Sequence, residues 1–504
     1  MSFRLLGVTT RSATFEIRDG SAFESPHGHC VTVDGKVRYE AACNVFTLDG
    51  WLPSYRYEVT RQCGSERETL QVEMPAAAVA TSVREFGAAG DGRTDDTRAL
   101  QAAIDACPAG GVLTFGPGEW LTGPLFLRSD MDLHFERDAR LVGHPDIERW
   151  PVLGADVGSW EGAAASCHAA LLTGIGIARV RIHGAGTIDG NASTTTWWSR
   201  PKAPFAGWRP RLVYLVDCED VMLQGVTLRN SPSWTVHPLR CRRVHLLDVT
   251  IEAPPGSPNT DGMNPESCED VTIAGCRIST GDDCIAIKAG KVEPDRPAPA
   301  PTRRVRISNC HMVRGHGAIV IGSETSGGVY GVHASDCRFE STDRGLRIKT
   351  RRGRGASAIV DGVRLENVAM DRVGTPFVVN SFYRCVTHDP AARRHHVDDR
   401  GWRAPDGGTP AIRNLSLERI DCTRAAHSAG YVLGLPERPV ENLRLRGYQV
   451  SFDAAARPAP PDMAESIQPV TRQGLYLCNV RGLSLESVRI AGAHGPELIR
   501  ENVE

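Results

Sequence analysis

The sequence predicts an all-β chain: a small β-sandwich followed by a long β-solenoid. Three observations carry that expectation. From about residue 178 a short alternating unit recurs along the chain, beginning at Val221, Val244, Val271, Val305, Val332, Val363, Leu415, Leu443 and Leu483. Residues 1–78 break into short alternating strands with a hairpin signal. One stretch alone, Arg98 to Cys107, is singled out as an amphipathic helix. Composition agrees. In 504 residues, 41% are hydrophobic and 23% charged, which rules out global disorder. With 9 Trp, 9 Tyr and 13 Phe the core must be mostly aliphatic, and 51 Gly without a collagen period call for many tight turns.

The N-terminal segment comes first. Ser12 to Arg18 alternates, and Cys30 to Val33 meets Asp34-Gly35 before Lys36 to Tyr39 returns, the pattern of a two-residue hairpin. Leu52 to Val59, a turn at Cys63-Gly64-Ser65, and Thr69 to Met74 complete a small sandwich over residues 1–78. The Leu52-Pro53 and Tyr57-Glu58-Val59 stretch resembles a fibronectin type III domain. Pro75 to Ala80 reads as a linker into a second domain over 79–504. Next, Asp95 and Asp96 precede the amphipathic helix. They are read as carboxylates capping its N-terminus, where they are favoured.

The repeat decides the architecture of the rest. Each unit is two short alternating strands joined by a polar corner, often Asn, Asp or Gly. No unit can bury its own apolar face, so the units must stack as a β-helix or solenoid. Cysteines mark the register. Cys276, Cys310 and Cys337 hold one place in three consecutive units, and Cys218, Cys241 and Cys268 hold another. These should form two internal ladders at about 4.8 Å spacing, with cysteine serving as a small hydrophobe.

Charge and targeting signals exclude several classes. Lys+Arg is 58 and Asp+Glu 60, a net charge of -2, so no basic field exists to hold nucleic acid or an anionic membrane. No run approaches the roughly 18 apolar residues of a membrane helix. The start, Met1 to Gly7, lacks an apolar leader pattern. The 15 cysteines show no Cys-x-x-Cys pair or zinc spacing. These features lead to an expectation of reduced thiols, a cytoplasmic protein, and no metal or cofactor. His395, His396, Asp398 and Asp399 mimic a metal cluster but read as an insertion loop near the cleft. Nothing in the chain dictates an oligomeric state.

Chemistry concentrates between residues 259 and 354. Asn259-Thr260-Asp261, Gly281-Asp282-Asp283, Gly315-His316-Gly317 and Arg347-Ile348-Lys349 follow one another at roughly one coil apart. They should share one face of the solenoid. Crowded carboxylates push one pKa upward. One acid held protonated beside others held ionised is what glycosidic bond hydrolysis requires. Arg347 and Lys349 alternate along a strand and suit an anionic substrate.

In this order and spacing the four segments resemble the signatures of glycoside hydrolase family 28, the polygalacturonases and their relatives. Phe86 to Gly92 and Gly184 to Gly190 resemble that family's early coils. The resemblance implies a right-handed parallel β-helix and inverting hydrolysis of α-1,4-galacturonosyl links in oligo- or polygalacturonides. It implies Asp282 as general acid, with Asp261 and Asp283 positioning and deprotonating the attacking water. His316 would tune Asp282 or the water, and Arg347 and Lys349 would bind galacturonate carboxylates. Asn259 would orient its neighbours, meet a sugar hydroxyl, or stabilise its coil corner. Lys288 is a candidate substrate contact, and Tyr383 falls near where the family places a stacking tyrosine. An inverting site should hold its carboxyls about 6.5–9.5 Å apart. Trp234 and His237 read as corner packing.

Gly322 to Val329 is similar to exo-acting bacterial members. Insertions at 289–302 and 384–410 adjoin the inferred site and could wall off one end of the groove. Release of single galacturonate units is therefore expected. Two rivals remain open: a calcium-dependent pectate lyase on the same fold, and a non-catalytic polysaccharide-binding solenoid.

Overall fold

In the computed structural model, residues 2–294, 296–384 and 395–504 are described. The N-terminal strands are β1 (Ser2–Val8), β2 (Ser12–Arg18), β3 (Glu24–Val33), β4 (Lys36–Cys43), β5 (Val45–Asp49), β6 (Arg56–Cys63) and β7 (Glu66–Glu73). They form two antiparallel sheets, ordered β1-β2-β5 and β4-β3-β6-β7. Phe3, Phe15, Phe46, Val31, Val59 and Trp51 pack between them. The hairpin at Asp34-Gly35 is as the sequence suggests: φ is 48° and 75° at its two residues, and Val33 pairs with Lys36. The sequence reading runs one strand through Leu52, but Leu52 to Tyr55 lies outside strand structure and β6 starts at Arg56. Pro53 cannot donate to a ladder, which is a reason for the late start.

From Ala80–Ser82 to Leu498–Val503 the chain is a parallel β-helix. The repeat seen in the sequence is its register. Val180, Val221, Val244, Val271, Val305, Val332, Val363, Leu415, Leu443 and Leu483 are successive partners in one column. The polar corners have a stereochemical cause. The residue before each of these positions is left-handed, from Asp220 (φ 56°) and Arg243 (52°) through Asp270 (59°) and Arg304 (53°) to Asn414 (58°) and Asn442 (56°). A second left-handed column follows five residues after the first, at Asp248, Gly275, Asn309, Asp336 and Asn367. Asn, Asp and Gly tolerate that region best. Where Arg occupies it, an ion pair to the neighbouring corner helps hold it, as Arg304 Nε to Asp270 Oδ1 at 2.6 Å.

The interior is a continuous aliphatic core, and both cysteine ladders lie inside it. The backbone N–H of Cys218 points at Cys241 Sγ, and that of Cys241 at Cys268 Sγ, each at 3.4 Å. The fourteen described cysteines are unpaired; Cys385 lies outside the described residues.

The helix α1 (Thr97–Ala106) buries Leu100, Ala103 and Ile104 against the first coils. Its cap corrects the sequence reading. Asp96 occupies the N-cap position, but its carboxylate takes the N–H groups of Ala89 and Gly90 instead of the helix amides. Asp95 accepts from Thr97 N at 3.1 Å and pairs with Arg149.

Candidate active site

Stacking of coils assembles the site. Met263, Ile285, Ile319 and Leu346 are register partners on one face of the β-helix. Asp261 and Asp283 each lie two residues before this column, so they sit one above the other. His316, three residues before it, lies over Asp282 in the same way, and its backbone N–H donates to the Asp282 carbonyl at 2.9 Å. Three residues after the column come Lys288 and Lys349. The four sequence segments therefore converge, and Asn259, Lys288, Tyr383, Asp261, Asp282, Asp283, His316, Arg347 and Lys349 line one cleft of about 510 Å3.

The three carboxylates offer oxygens within 4.8 Å of one another. This corrects the expected wide separation: stacked coils are spaced by hydrogen bonding and set neighbouring rungs about 4.8 Å apart. Burial separates their characters. Asp261 and Asp283 side chains are 4% and 3% exposed, whereas Asp282 is 24% exposed and faces the cleft. Asp261 accepts from Asn264 Nδ2 at 2.8 Å and has Lys288 Nζ at 4.0 Å. Asp283 Oδ2 accepts from Lys349 Nζ at 2.8 Å, and Arg347 stands 3.7 Å from Oδ1. That Oδ1 is buried with no protein hydrogen-bond partner. His316 Nδ1 is 3.2 Å from Asp282 Oδ1.

The protons follow from this geometry. Burial, reinforced by Asp282 and Asp283, pushes the Asp261 carboxyl well above the usual range. Burial would raise Asp282 too, but the His316 hydrogen bond and charge outweigh it and hold Asp282 down at about 2. In return the Asp282 hydrogen bond raises the His316 imidazole. In the free protein a proton therefore favours Asp261 over the more open Asp282, and these two titrate as a pair.

Several residues take positions the sequence does not foretell. Arg347 pairs with buried Asp462, which Asn380 Nδ2 also holds at 2.9 Å. Asp462 comes from a loop more than a hundred residues away, with no periodic signal to place it. Lys288 is 3.0 Å from Glu324 and 4.6 Å from the Trp234 ring centre, so Trp234 forms a wall of the cleft as well as packing. His237 is a buried packing residue bonded to Glu266 at 2.9 Å. Tyr383 lies beneath both Arg347 and Lys349, 5.3 and 5.2 Å from their charges. Asn259 is left-handed at its corner (φ 55°) and accepts from Arg209 at 2.6 Å. Nearby, Arg352 is buried against Glu437, and Arg344 donates to the carbonyls of Pro460 and Pro461. Asp398 and Asp399 are engaged by Arg384 and Arg403, as loop braces. Four of the chain's five lysines, Lys202, Lys288, Lys291 and Lys349, line this one cleft.

Residues 152–396 match the family described as Glycosyl hydrolases family 28. Residues 80–145 match that described as Rhamnogalacturonase A/epimerase, pectate lyase-like. A probable polygalacturonase of Vitis vinifera is 32% identical over 395 residues, covering 76% of each chain. An endo-polygalacturonase of Pectobacterium parmentieri is 31% identical over 300 residues, 57% of this chain and 72% of that one. Among solved structures, a family 28 exopolygalacturonase of Yersinia enterocolitica superposes with a TM-score of 0.75 at 19% identity, covering 100% of this chain and 98% of its own. That last likeness is one of fold.

Proposed function

The chain belongs to glycosyl hydrolase family 28, and from that premise we propose that it hydrolyses α-1,4-galacturonosyl links with inversion. The observation that carries this reading is one open carboxylate, Asp282, set over two buried ones and bonded to His316 in a lysine-lined cleft. When a sugar covers Asp282 it removes the water that supports the charged form, so the proton moves to Asp282. Asp261, relieved of a charged neighbour, then ionises. Asp282 gives its proton to the departing glycosidic oxygen. A water held by Asp261 and the unpartnered Asp283 Oδ1 attacks the anomeric carbon and loses a proton to this pair. Lys202, Lys288, Lys291, Lys349 and Arg347 favour a substrate rich in carboxylates.

A specific observation favours a second reading. Carboxylate oxygens within 4.8 Å are the spacing that ordinarily accompanies a covalent carboxylate nucleophile and retention. A third carboxylate alters that rule, since two of them together can hold a water at hydrogen-bond distance while the other acts as acid. The calcium-lyase alternative is disfavoured by contacts: Lys349 Nζ already occupies Asp283 Oδ2 at 2.8 Å, and Lys288 Nζ stands 4.0 Å from Asp261. Incubation with polygalacturonate separates the classes. Hydrolysis yields reducing ends without ultraviolet-absorbing product; unsaturated product would indicate a lyase, and no product a binding solenoid.

The mode of attack is proposed to be exo, with release of galacturonate from the non-reducing end. In the first insertion Glu293 accepts from Ala164 N at 2.8 Å, and Met463 and Arg384 line the cleft; residues 385–394 of the second insertion lie outside the described residues. We further propose that the enzyme works in the cytoplasm on imported oligomers, because buried, unpaired cysteine ladders suit a reducing compartment.

A further inference from the structure

We propose that Asp49, His134 and His183, together with Asp132, form a zinc-binding site that clasps the N-terminal sandwich to the β-helix. Asp49 ends β5 of the sandwich. His134 and His183 are register partners on neighbouring coils, their ring centres 5.0 Å apart. His134 Nε2 lies 3.1 and 3.3 Å from the two Asp49 oxygens, and His183 Nε2 lies 3.5 Å from Asp132 Oδ2. One donor atom each from Asp49, His134 and His183 falls within 4.8 Å of the others. A tetrahedral zinc with bonds of about 2.0–2.1 Å sets its ligand atoms about 3.3 Å apart. The His134–Asp49 and His183–Asp132 spacings of 3.1 and 3.5 Å are already close to that.

The second, independent observation is His183 itself. Its side chain is 0% exposed and its Nε2 has no hydrogen-bond partner. Its Nδ1 is 3.0 Å from Thr9 Oγ1 and 3.1 Å from Ser12 Oγ. With Nδ1–H donated to these hydroxyls, the Nε2 lone pair is left facing Asp132 Oδ2 at 3.5 Å, the tautomer a metal ligand needs. Thr10 Oγ1 donates to Asp132 Oδ2 at 2.6 Å, a similar outer support. Among the described residues, Asp49 and Asp132 form ion pairs with these histidines alone and with no lysine or arginine. Two imidazoles and two carboxylates suit zinc better than a hard cation such as calcium.

The test uses the full chain stripped with a chelator, desalted, given excess Zn2+, desalted again and counted for zinc by mass spectrometry. One zinc per chain is expected, with binding weakened about tenfold or more in His183→Gln. Asp282→Asn, which alters the other carboxylate cluster, should keep its zinc. Should His183→Gln fail to fold, Asp49→Asn decides by the same count, since its amide oxygen can still accept from His134. A wild-type protein that retains no zinc, or variants at Asp49 and His183 that retain as much as wild type, would overturn the site.

Discussion

Asp282 and His316 shift one another in opposite directions, and that reciprocity can be measured. The carboxyl is held down at about 2 and the imidazole is raised above its ordinary 6.5. The depressed carboxyl favours the folded state above the ordinary aspartate range near 3.8 and loses that contribution as pH falls toward 2. The raised imidazole contributes fully below 6.5 and loses its share as pH climbs through the raised value. The pair is therefore charged from mildly acidic pH to somewhat above 6.5. A proton NMR titration should place the His316 midpoint above 6.5, and Asp282→Asn should bring it down. An unmoved midpoint would break the link. The same variant should bind substrate yet lose about 10²–10⁴-fold in rate, the usual worth of a general acid. Which residues gather here was legible in the sequence, because four short segments recur one coil apart. How their charges are balanced was not. Asp462 and Glu324 reach Arg347 and Lys288 from loops that follow no period.

Coil corners set the register at the scale of the element. Two left-handed columns run along the β-helix, and the sequence shows them as Asn, Asp and Gly at fixed offsets from each Val or Leu start. This is why the repeat could be aligned from sequence and matched the strand pairing unit by unit. Gly362 occupies such a corner at φ 73°, and a Cβ there would meet nothing nearer than 3.7 Å. Its conformation rather than its space makes it matter. Gly362→Ala should cost about 1–2 kcal/mol in urea unfolding, the penalty of a left-handed alanine. No loss would mean the corner relaxes. The helix cap was misread because adjacent aspartates carry no sign of which amide each will take, and Asp96 turned to the preceding loop. The ladders make a second prediction. Denatured protein prepared without reductant, under alkylation safeguards, should yield all 15 thiols of the chain free. Most thiols blocked as disulfides would contradict the proposed compartment.

The whole molecule joins a sandwich, a β-helix and the loops that flank one cleft. Sequence patterning revealed the first two, since alternation and repeats are local. It could not reveal the seam where Asp49 meets His134 and His183, because no spacing relates a strand of one body to coils of another. Nor could it show that Glu293, in the first insertion, accepts from Ala164 N. If these loops block the groove, polygalacturonate viscosity should fall slowly while reducing ends accumulate as single galacturonate. A steep early drop with a ladder of oligomers would show endo attack. Asp282 is assigned as acid while Asp261 and Asp283 direct a water, despite carboxylate oxygens within 4.8 Å of one another. The most direct test of this assignment is proton NMR of the first product formed from an α-linked galacturonide, read before mutarotation. The account predicts the β-anomer, by inversion; an α-anomer formed first would contradict it.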